Sequence, residues 1–325
     1  MLTVKEIFDL VRDDLARVEQ ELARQTGAPG QPVAEIARYL LDGGGKRLRP
    51  ALLLLSAGYA GYSGDTAIRL GAVVELIHSA TLIHDDVIDG ADTRRGRASA
   101  NSRWGNHRSV LAGDWIYMQS FRMALEERNF AVLDILIDLT QNMVDGELAQ
   151  LSSLGRMDLR ENEVVDLAAR KTACLFSGCA RLGAVLGRLP AAEEQALADY
   201  GSHIGVAFQL VDDLLDFTAS PTQLGKPVLS DLKEGKVTLP LIYALESDGS
   251  AGRRMVRAVL DEKGFFSVRP EEISALVRDS GALERTRRLA HDYVARAKAC
   301  LNGHGDTEYG RALRAVPYFI LERER

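Results

Sequence analysis

Cysteine is scarce in this chain: Cys174, Cys179 and Cys300 are the three thiols, and their spacing gathers no metal ligands. An odd number of cysteines with no leader-like N-terminus fits a reducing cytosol, so the sequence predicts buried thiols in a cytoplasmic protein. Long apolar runs are missing too. No uncharged stretch approaches the ~18 residues of a membrane-spanning helix, which predicts a soluble chain with no transmembrane segment. Pro/Ser-rich linkers and low-complexity tracts are absent, and the loop signals at Gly43-Gly44-Gly45, Ser220-Pro221 and Ser247-Asp248-Gly249 are short. One compact domain over residues 1–325 is therefore the expected organisation. There is no basic excess: 46 acids against 40 bases give a net charge of −6, which argues against a nucleic-acid binder.

Alternating strand-like runs are also absent, whereas apolar residues recur at i, i+3, i+4 and i+7 almost throughout. The pattern predicts an all-α fold, a single large bundle of long helices. Helices are expected over Val4–Arg24, Val33–Leu41, Pro50–Tyr62, Thr66–Asp89, His107–Glu126, Phe130–Leu151, Glu161–Leu186, Ala192–Phe217 and Thr238–Leu245, with shorter ones beyond. Pro50 fits a first helical position, and Pro190 and Pro221 fit breaks between helices. Helices apolar on most faces belong at the centre of such a bundle.

Into this apolar background the sequence sets one acidic pattern twice: Asp85-Asp86-Val87-Ile88-Asp89 and Asp212-Asp213-Leu214-Leu215-Asp216. On a helix, residues i and i+4 share a face, so each copy concentrates three carboxylates on one turn. Two carboxylates about 6 Å apart repel by roughly 3 kcal/mol at an effective dielectric near 20. Cations must offset that repulsion. Oxygen-only ligands select hard ions, and magnesium held by one or two carboxylates plus substrate phosphates is the usual arrangement. The competing reading, two solvated helix faces, is weakened by repetition and by the apolar flanks Leu76, Ile77, Leu82, Ile83, Val206, Phe208, Leu210 and Val211. An enzyme acting on diphosphates is the expectation.

Fixed cationic donors for phosphate appear at several separated points. Lys46, Arg47 and Arg49 follow a glycine run and lead into a helix N-terminus, where free N–H groups favour anions. Arg94 and Arg95 come soon after the first cluster, and Lys226 and Lys236 follow the second. Each could be an ordinary exposed turn or surface pair. Lys171 is harder to dismiss, because a lysine among Leu167, Ala168 and Leu175 must snorkel or find an anion. His78 and Gln209 precede the two clusters on roughly the same helix faces, where either could equally be a satisfied core polar group.

Over nearly its whole length the chain resembles the trans-isoprenyl diphosphate synthases of the polyprenyl synthetase family. The resemblance rests on GGGKRLRP at 43–50, ELIHSATLIHDDVIDGADTRRG at 75–96, GDW at 113–115, KT at 171–172, FQLVDDLLD at 208–216 and GKPVLSDLKEGKVTLPL at 225–241. It implies an isoprenoid synthase fold around a deep central cavity, a homodimer, and magnesium-dependent head-to-tail condensation of isopentenyl diphosphate onto an allylic diphosphate. Asp85, Asp86, Asp89, Asp212, Asp213 and Asp216 match the acids that hold magnesium, three ions with substrate bound, with Asp89 and Asp216 less direct. Lys46, Arg49, His78 and Arg95, with Arg47 among them, match the isopentenyl diphosphate pocket. Arg94, Lys171, Lys226 and Lys236 match the allylic diphosphate pocket, where Thr172 and Gln209 also line the reacting region. Leu229 departs from the pattern, since many members carry glycine there, and this puts the path of that loop in doubt.

Product length follows from helix geometry. Thr81 and Ala80 lie four and five residues before Asp85, about 6 to 7.5 Å down the helix. Neither is aromatic, so the expected tunnel stays open, with Met118, Phe121, Ala124 and Leu136 as deeper candidates. That resembles the long-chain branch, similar to octaprenyl and solanesyl diphosphate synthases that make quinone side chains, with transient membrane contact at product release. A short-chain farnesyl or geranylgeranyl diphosphate synthase is the alternative. A terpene cyclase would not need the second set of bases, and a non-catalytic synthase subunit would be expected to lose acids from one cluster.

Overall fold

A computed structural model describes residues 2–26, 32–41, 45, 47–94, 96–219, 228–248, 250–301 and 307–322. Helices dominate: α1 Val4–Asp9, α2 Arg12–Thr26, α3 Pro32–Leu41, α4 Leu48–Tyr59, α5 Asp65–Ile88, α6 Ala100–Trp104, α7 Asn106–Glu126, α8 Phe130–Ser153, α9 Glu161–Ala168, α10 Cys174–Leu186, α11 Ala191–Thr218, α12 Ser230–Lys233, α13 Leu239–Asp248, α14 Ser250–Glu262, α15 Pro270–Asp279, α16 Ala282–Cys300 and α17 Glu308–Glu322. Among the described residues the sheet is one short antiparallel hairpin, β1 Thr93–Arg94 with β2 Arg97–Ala98. The all-α expectation holds.

Three differences from the periodicity have local causes. The expected first helix divides at Leu10 and Val11 into α1 and α2. The expected 161–186 helix is interrupted at Ala169–Ala173 by a π-helical turn, which widens the ladder. Pro50 is the third residue of α4 rather than the first, because Leu48 already follows an Arg47 N-cap. It costs no hydrogen bond there, since the first-turn N–H groups have no intrahelical partner.

The chain forms two compact units, residues 1–140, 175–201 and 298–316, and residues 141–174, 202–297 and 317–325. In the first unit α5 is the central element. Leu70, Ala72, Val73, Val74, Leu76, Ile77, Ala80 and Ile83 have no exposed surface, and α2, α4 and α7 pack around it. Among the described residues α5 is the one helix long and apolar enough to cross a membrane, yet 67% of that stretch is buried inside the protein, as in a core helix. Its N-terminal end is tied to α7 by Glu127, whose carboxylate accepts from Thr66 Oγ1 at 2.7 Å and pairs with Arg69. Small residues allow α10 to lie close against α4. A Cβ on Gly183 would come within 2.6 Å of the Ala57 backbone nitrogen.

In the second unit α13, α14 and α15 pack together around Leu241, Ile242, Leu245, Val256, Val259, Ile273 and Val277. Of the three thiols expected to be buried, Cys179 is, while Cys174 and Cys300 are half-buried. Amphipathic α-helices accept half-burial readily, so the correction concerns degree only.

Candidate active site

α5 carries Asp85 and Asp86 in its last turn and ends on Asp89 as C-cap. This is the negative end of the helix dipole, equivalent to roughly half an elementary charge, so three carboxylates here add to an already unfavourable field. Asp86 has no exposed surface, which removes the solvated-face reading for that residue. Arg94 on β1 supplies the opposing charge, its Nε donating to Asp86 Oδ1 at 2.6 Å.

Beside Asp86 and Arg94 opens a cleft of about 570 Å³, lined further by Tyr39, Arg47, Glu75, His78 and Arg97. Arg47, expected among the phosphate donors, is engaged elsewhere: it pairs with Glu19, donates from Nη1 to Glu75 Oε1 at 2.7 Å, and reaches the Leu41 carbonyl. Its backbone is left-handed, at φ 46°. Arg49 Nη1 stands 3.0 Å from His78 Nε2, its guanidinium over the Phe176 ring at 4.9 Å. Lys46, Arg95 and Lys226 lie outside the described residues.

The second cluster sits near the C-terminal end of α11. Asp213 and Asp216 are 4% and 1% exposed, so a solvated face is excluded there as well. Burial pushes the Asp213 carboxyl well above the usual carboxylate range, and Asp231, Asp212 and Asp216 push the same way against a hydrogen bond from Gln209. A polar chain runs into it: Thr172 Oγ1 donates to Gln209 Oε1 at 2.8 Å, and Gln209 Nε2 donates to Asp213 Oδ1 at 2.9 Å. These residues line a pocket of about 820 Å³ with Lys171, Asp231 and Lys236.

Lys171 and Thr172 reach this pocket from the π turn. The turn presses on α8 where side chains would obstruct it, since a Cβ on Gly146 would stand 2.8 Å from the Lys171 backbone nitrogen. The next residue, Glu147, pairs with the Lys171 ammonium, which is the anion that a lysine in an apolar helix requires. Lys236 Nζ donates to Glu234 Oε2 at 2.8 Å. Glu147, Asp231, Glu75 and Arg97 escaped the sequence reading.

Leu229 adopts φ 58°, the left-handed region where glycine is at home. Its N–H donates to the Asp216 carbonyl at 3.1 Å, and its side chain is fully buried. The turn brings Ser230 Oγ to 3.2 Å and the Asp231 N–H to 3.4 Å from the Asp216 carboxylate.

The expected chain-length positions divide. Ala80, Ala124 and Leu136 have no exposed surface, Thr81 and Phe121 are half-buried, and Met118 is 64% exposed. Of the pair nearest Asp85, only Thr81 borders open space; its hydroxyl donates to the His78 carbonyl at 2.7 Å. Met118 faces outward on α7.

Among the described residues no three acidic, histidine or cysteine groups converge as a closed metal cage. Magnesium bound by one or two carboxylates and completed by phosphate oxygens and water needs none. The donor set fits such an ion: carboxylates only, near negative helix ends, with Asp86, Asp213 and Asp216 buried and burial pushing the Asp213 carboxyl well above its ordinary range.

Known proteins match this chain over most of its length. The family model described as polyprenyl synthetase matches residues 31–272. The octaprenyl diphosphate synthase of Escherichia coli K12 is 36% identical over 324 residues, covering 100% of both chains. The polyprenyl synthase of Caulobacter crescentus, crystallised with calcium and isoprenyl diphosphate, superposes with a TM-score of 0.95 at 33% identity, covering 99% of this chain and 98% of that one. A decaprenyl diphosphate synthase from Rhodobacter capsulatus gives 0.92 at 34% identity, covering 99% of each.

The Leu229 turn generates a stability prediction. A left-handed backbone costs a non-glycine residue about 1–2 kcal/mol, while burying leucine returns about 1.5–3 kcal/mol. Leu229→Ala keeps the cost and loses the burial, so its urea midpoint should correspond to a loss of about 2–4 kcal/mol. Leu229→Gly sheds the strain and should be the milder change by about 1 kcal/mol. A glycine variant as unstable as the alanine one would show that the turn is unstrained.

Proposed function

The chain belongs to the polyprenyl synthetase family and is a transferase, and from that premise we propose that it condenses isopentenyl diphosphate head-to-tail onto farnesyl or geranylgeranyl diphosphate. The product is a long-chain all-trans polyprenyl diphosphate destined for quinone side chains, and residues 1–325 act as one catalytic domain. The observation that carries the proposal is the pocket in which Lys171, Thr172, Gln209, Asp213, Asp231 and Lys236 meet between apolar walls. Ammonium groups beside buried carboxylates suit a diphosphate that brings its own divalent ions.

Asp85, Asp86, Asp212 and Asp213 would hold magnesium, three ions with substrate bound, with Asp89 and Asp216 in support. When bound, magnesium is a Lewis acid that stabilises negative charge gathering on the departing diphosphate. Lys171, Lys226, Lys236 and Arg94 orient the allylic diphosphate. Lys46, Arg49, His78 and Arg95 hold isopentenyl diphosphate so that its double bond attacks the allylic carbon as the C–O bond breaks. Leu159, Val164, Leu167, Leu210 and Val237 wall the pocket and exclude the water that would quench a cation. The proton released after bond formation passes to the departing diphosphate, since no dedicated base lies among these residues.

The homodimer is supported by apolar side chains left exposed at heptad spacing. Leu111, Met118 and Leu125 lie seven apart on α7, Phe130 and Ile137 lie seven apart on α8, and all are 45–80% exposed. Such stripes suit helix-to-helix packing with a second copy. Sedimentation of the full chain should give twice the monomer mass, and Leu111→Glu with Ile137→Glu should halve it. A monomeric wild type would overturn the assignment.

Asp85→Ala or Asp212→Ala should lower turnover roughly a thousandfold or more with helical content intact, because the lost term is worth several kcal/mol at the transition state. EDTA should abolish activity and magnesium restore it. Near-normal turnover in either variant would sink the metal assignment.

Thr81→Tyr should place a ring across the growing chain just over one turn below Asp85, at about 6 Å. Product mass spectra should then shorten toward the three- to four-unit range (roughly, from that rise per residue) without loss of the first condensation. An unchanged distribution from an active variant would mean that the chain grows along another face.

A further inference from the structure

β1 and β2 pair with Arg94 directly opposite Arg97, so two guanidinium groups leave one face of a two-stranded ribbon side by side. Directly opposed like charges destabilise a hairpin, and a sequence that places them there needs negative charge nearby. Asp86 meets half of that requirement through Arg94. Arg97 is different. It carries no ion pair among the described residues; its guanidinium lies over the Tyr39 ring at 4.1 Å and reaches the Tyr39 carbonyl only at 3.5 Å. Of the three arginines lining the 570 Å³ cleft, Arg47 is clamped by Glu19 and Glu75 and Arg94 by Asp86. Arg97 is thus the one whose charge is answered by an aromatic face alone.

Tyr39 is built to present it. Its hydroxyl donates to the Ala98 carbonyl at 2.8 Å, fixing β2 against α3, and Trp104 meets the ring edge-on with centroids 5.0 Å apart. A cation on an aromatic platform keeps its in-plane N–H donors available, and those donors match phosphate oxygens two at a time.

We propose that Arg97, held on the Tyr39 ring, is an additional binding residue for the diphosphate of isopentenyl diphosphate in the cleft beside His78 and Asp86. The assignment rests on the condensation proposed above. It goes to this substrate because His78, in contact with Arg49, lines the same cleft.

The test uses the full chain, with farnesyl diphosphate saturating and isopentenyl diphosphate varied, alongside calorimetric titration with isopentenyl diphosphate alone. Losing a charge-assisted contact, Arg97→Ala should raise KM for isopentenyl diphosphate about tenfold and weaken calorimetric binding in step. The kcat should stay within about twofold and the melting temperature should not move, since Arg97 is exposed. Arg97→Lys should recover part of the loss. Tyr39→Leu should reproduce it in milder form, and Tyr39→Phe, which keeps the ring and loses only the hydroxyl bond to Ala98, should fall between Tyr39→Leu and the wild type. An unchanged KM in Arg97→Ala, or a rise confined to farnesyl diphosphate, overturns the proposal. Should the wild type fail to elongate, the condensation reading falls alone: calorimetry still decides Arg97, with weaker binding in the variant supporting it and equal or absent binding in both refuting it.

Discussion

The structure depends on a single electrostatic constraint: two helices end in clusters of carboxylates at the place where their own dipoles are already negative. Burial makes the constraint severe, because Asp86, Asp213 and Asp216 have almost no contact with bulk water to screen them. Much of the surrounding chemistry answers this. Arg94 reaches back from the hairpin to Asp86, Gln209 donates to Asp213, and Ser230 with the Asp231 N–H faces Asp216. Burial nonetheless pushes the Asp213 carboxyl well above the usual carboxylate range.

Helical periodicity made nearly all of the fold legible. The long helices were expected within a residue or two of where they lie, because α5, α7, α8 and α11 bury so much apolar surface that tertiary context and local pattern agree. What escaped was short or aperiodic. A hairpin with two residues per strand has no alternation to detect, and a π segment of five residues is too short to register in the periodicity. The acids and the Lys171-Thr172 pair were legible because such residues inside apolar helices have no packing reason to exist. Glu147 and Tyr39 were not, since a glutamate or tyrosine on a helix surface is unremarked until its partner is known.

The basic residues sort by what they touch, which sequence spacing cannot reveal. Lys46, Arg47 and Arg49 read as one basic run, yet Arg47 is turned away onto Glu19 and Glu75 while Arg49 stands against His78. The left-handed backbone at Arg47 is the cause: one residue at φ 46° reverses the side-chain direction that simple alternation would give. Arg47 nevertheless lines the cleft beside His78 and Asp86.

The two acidic motifs share a spacing and differ in surroundings, and the difference falls on their third residue. Asp89 is the C-cap of α5 and half-exposed, its N–H bonded to the Asp85 carbonyl, so it closes the helix that displays the leading pair. Asp216 lies inside α11, buried, with its carbonyl accepting from Leu229 and its carboxylate facing Ser230 and Asp231. It therefore anchors the turn that sets Asp231 into the pocket. A carboxylate occupied in that way is less available to an ion than Asp212 or Asp213, which gives a physical reason for the expected hierarchy within each motif. The same reasoning explains why leucine is tolerated at position 229: its N–H, and not its side chain, makes the bond to Asp216, so the turn survives any residue that can bear the left-handed backbone.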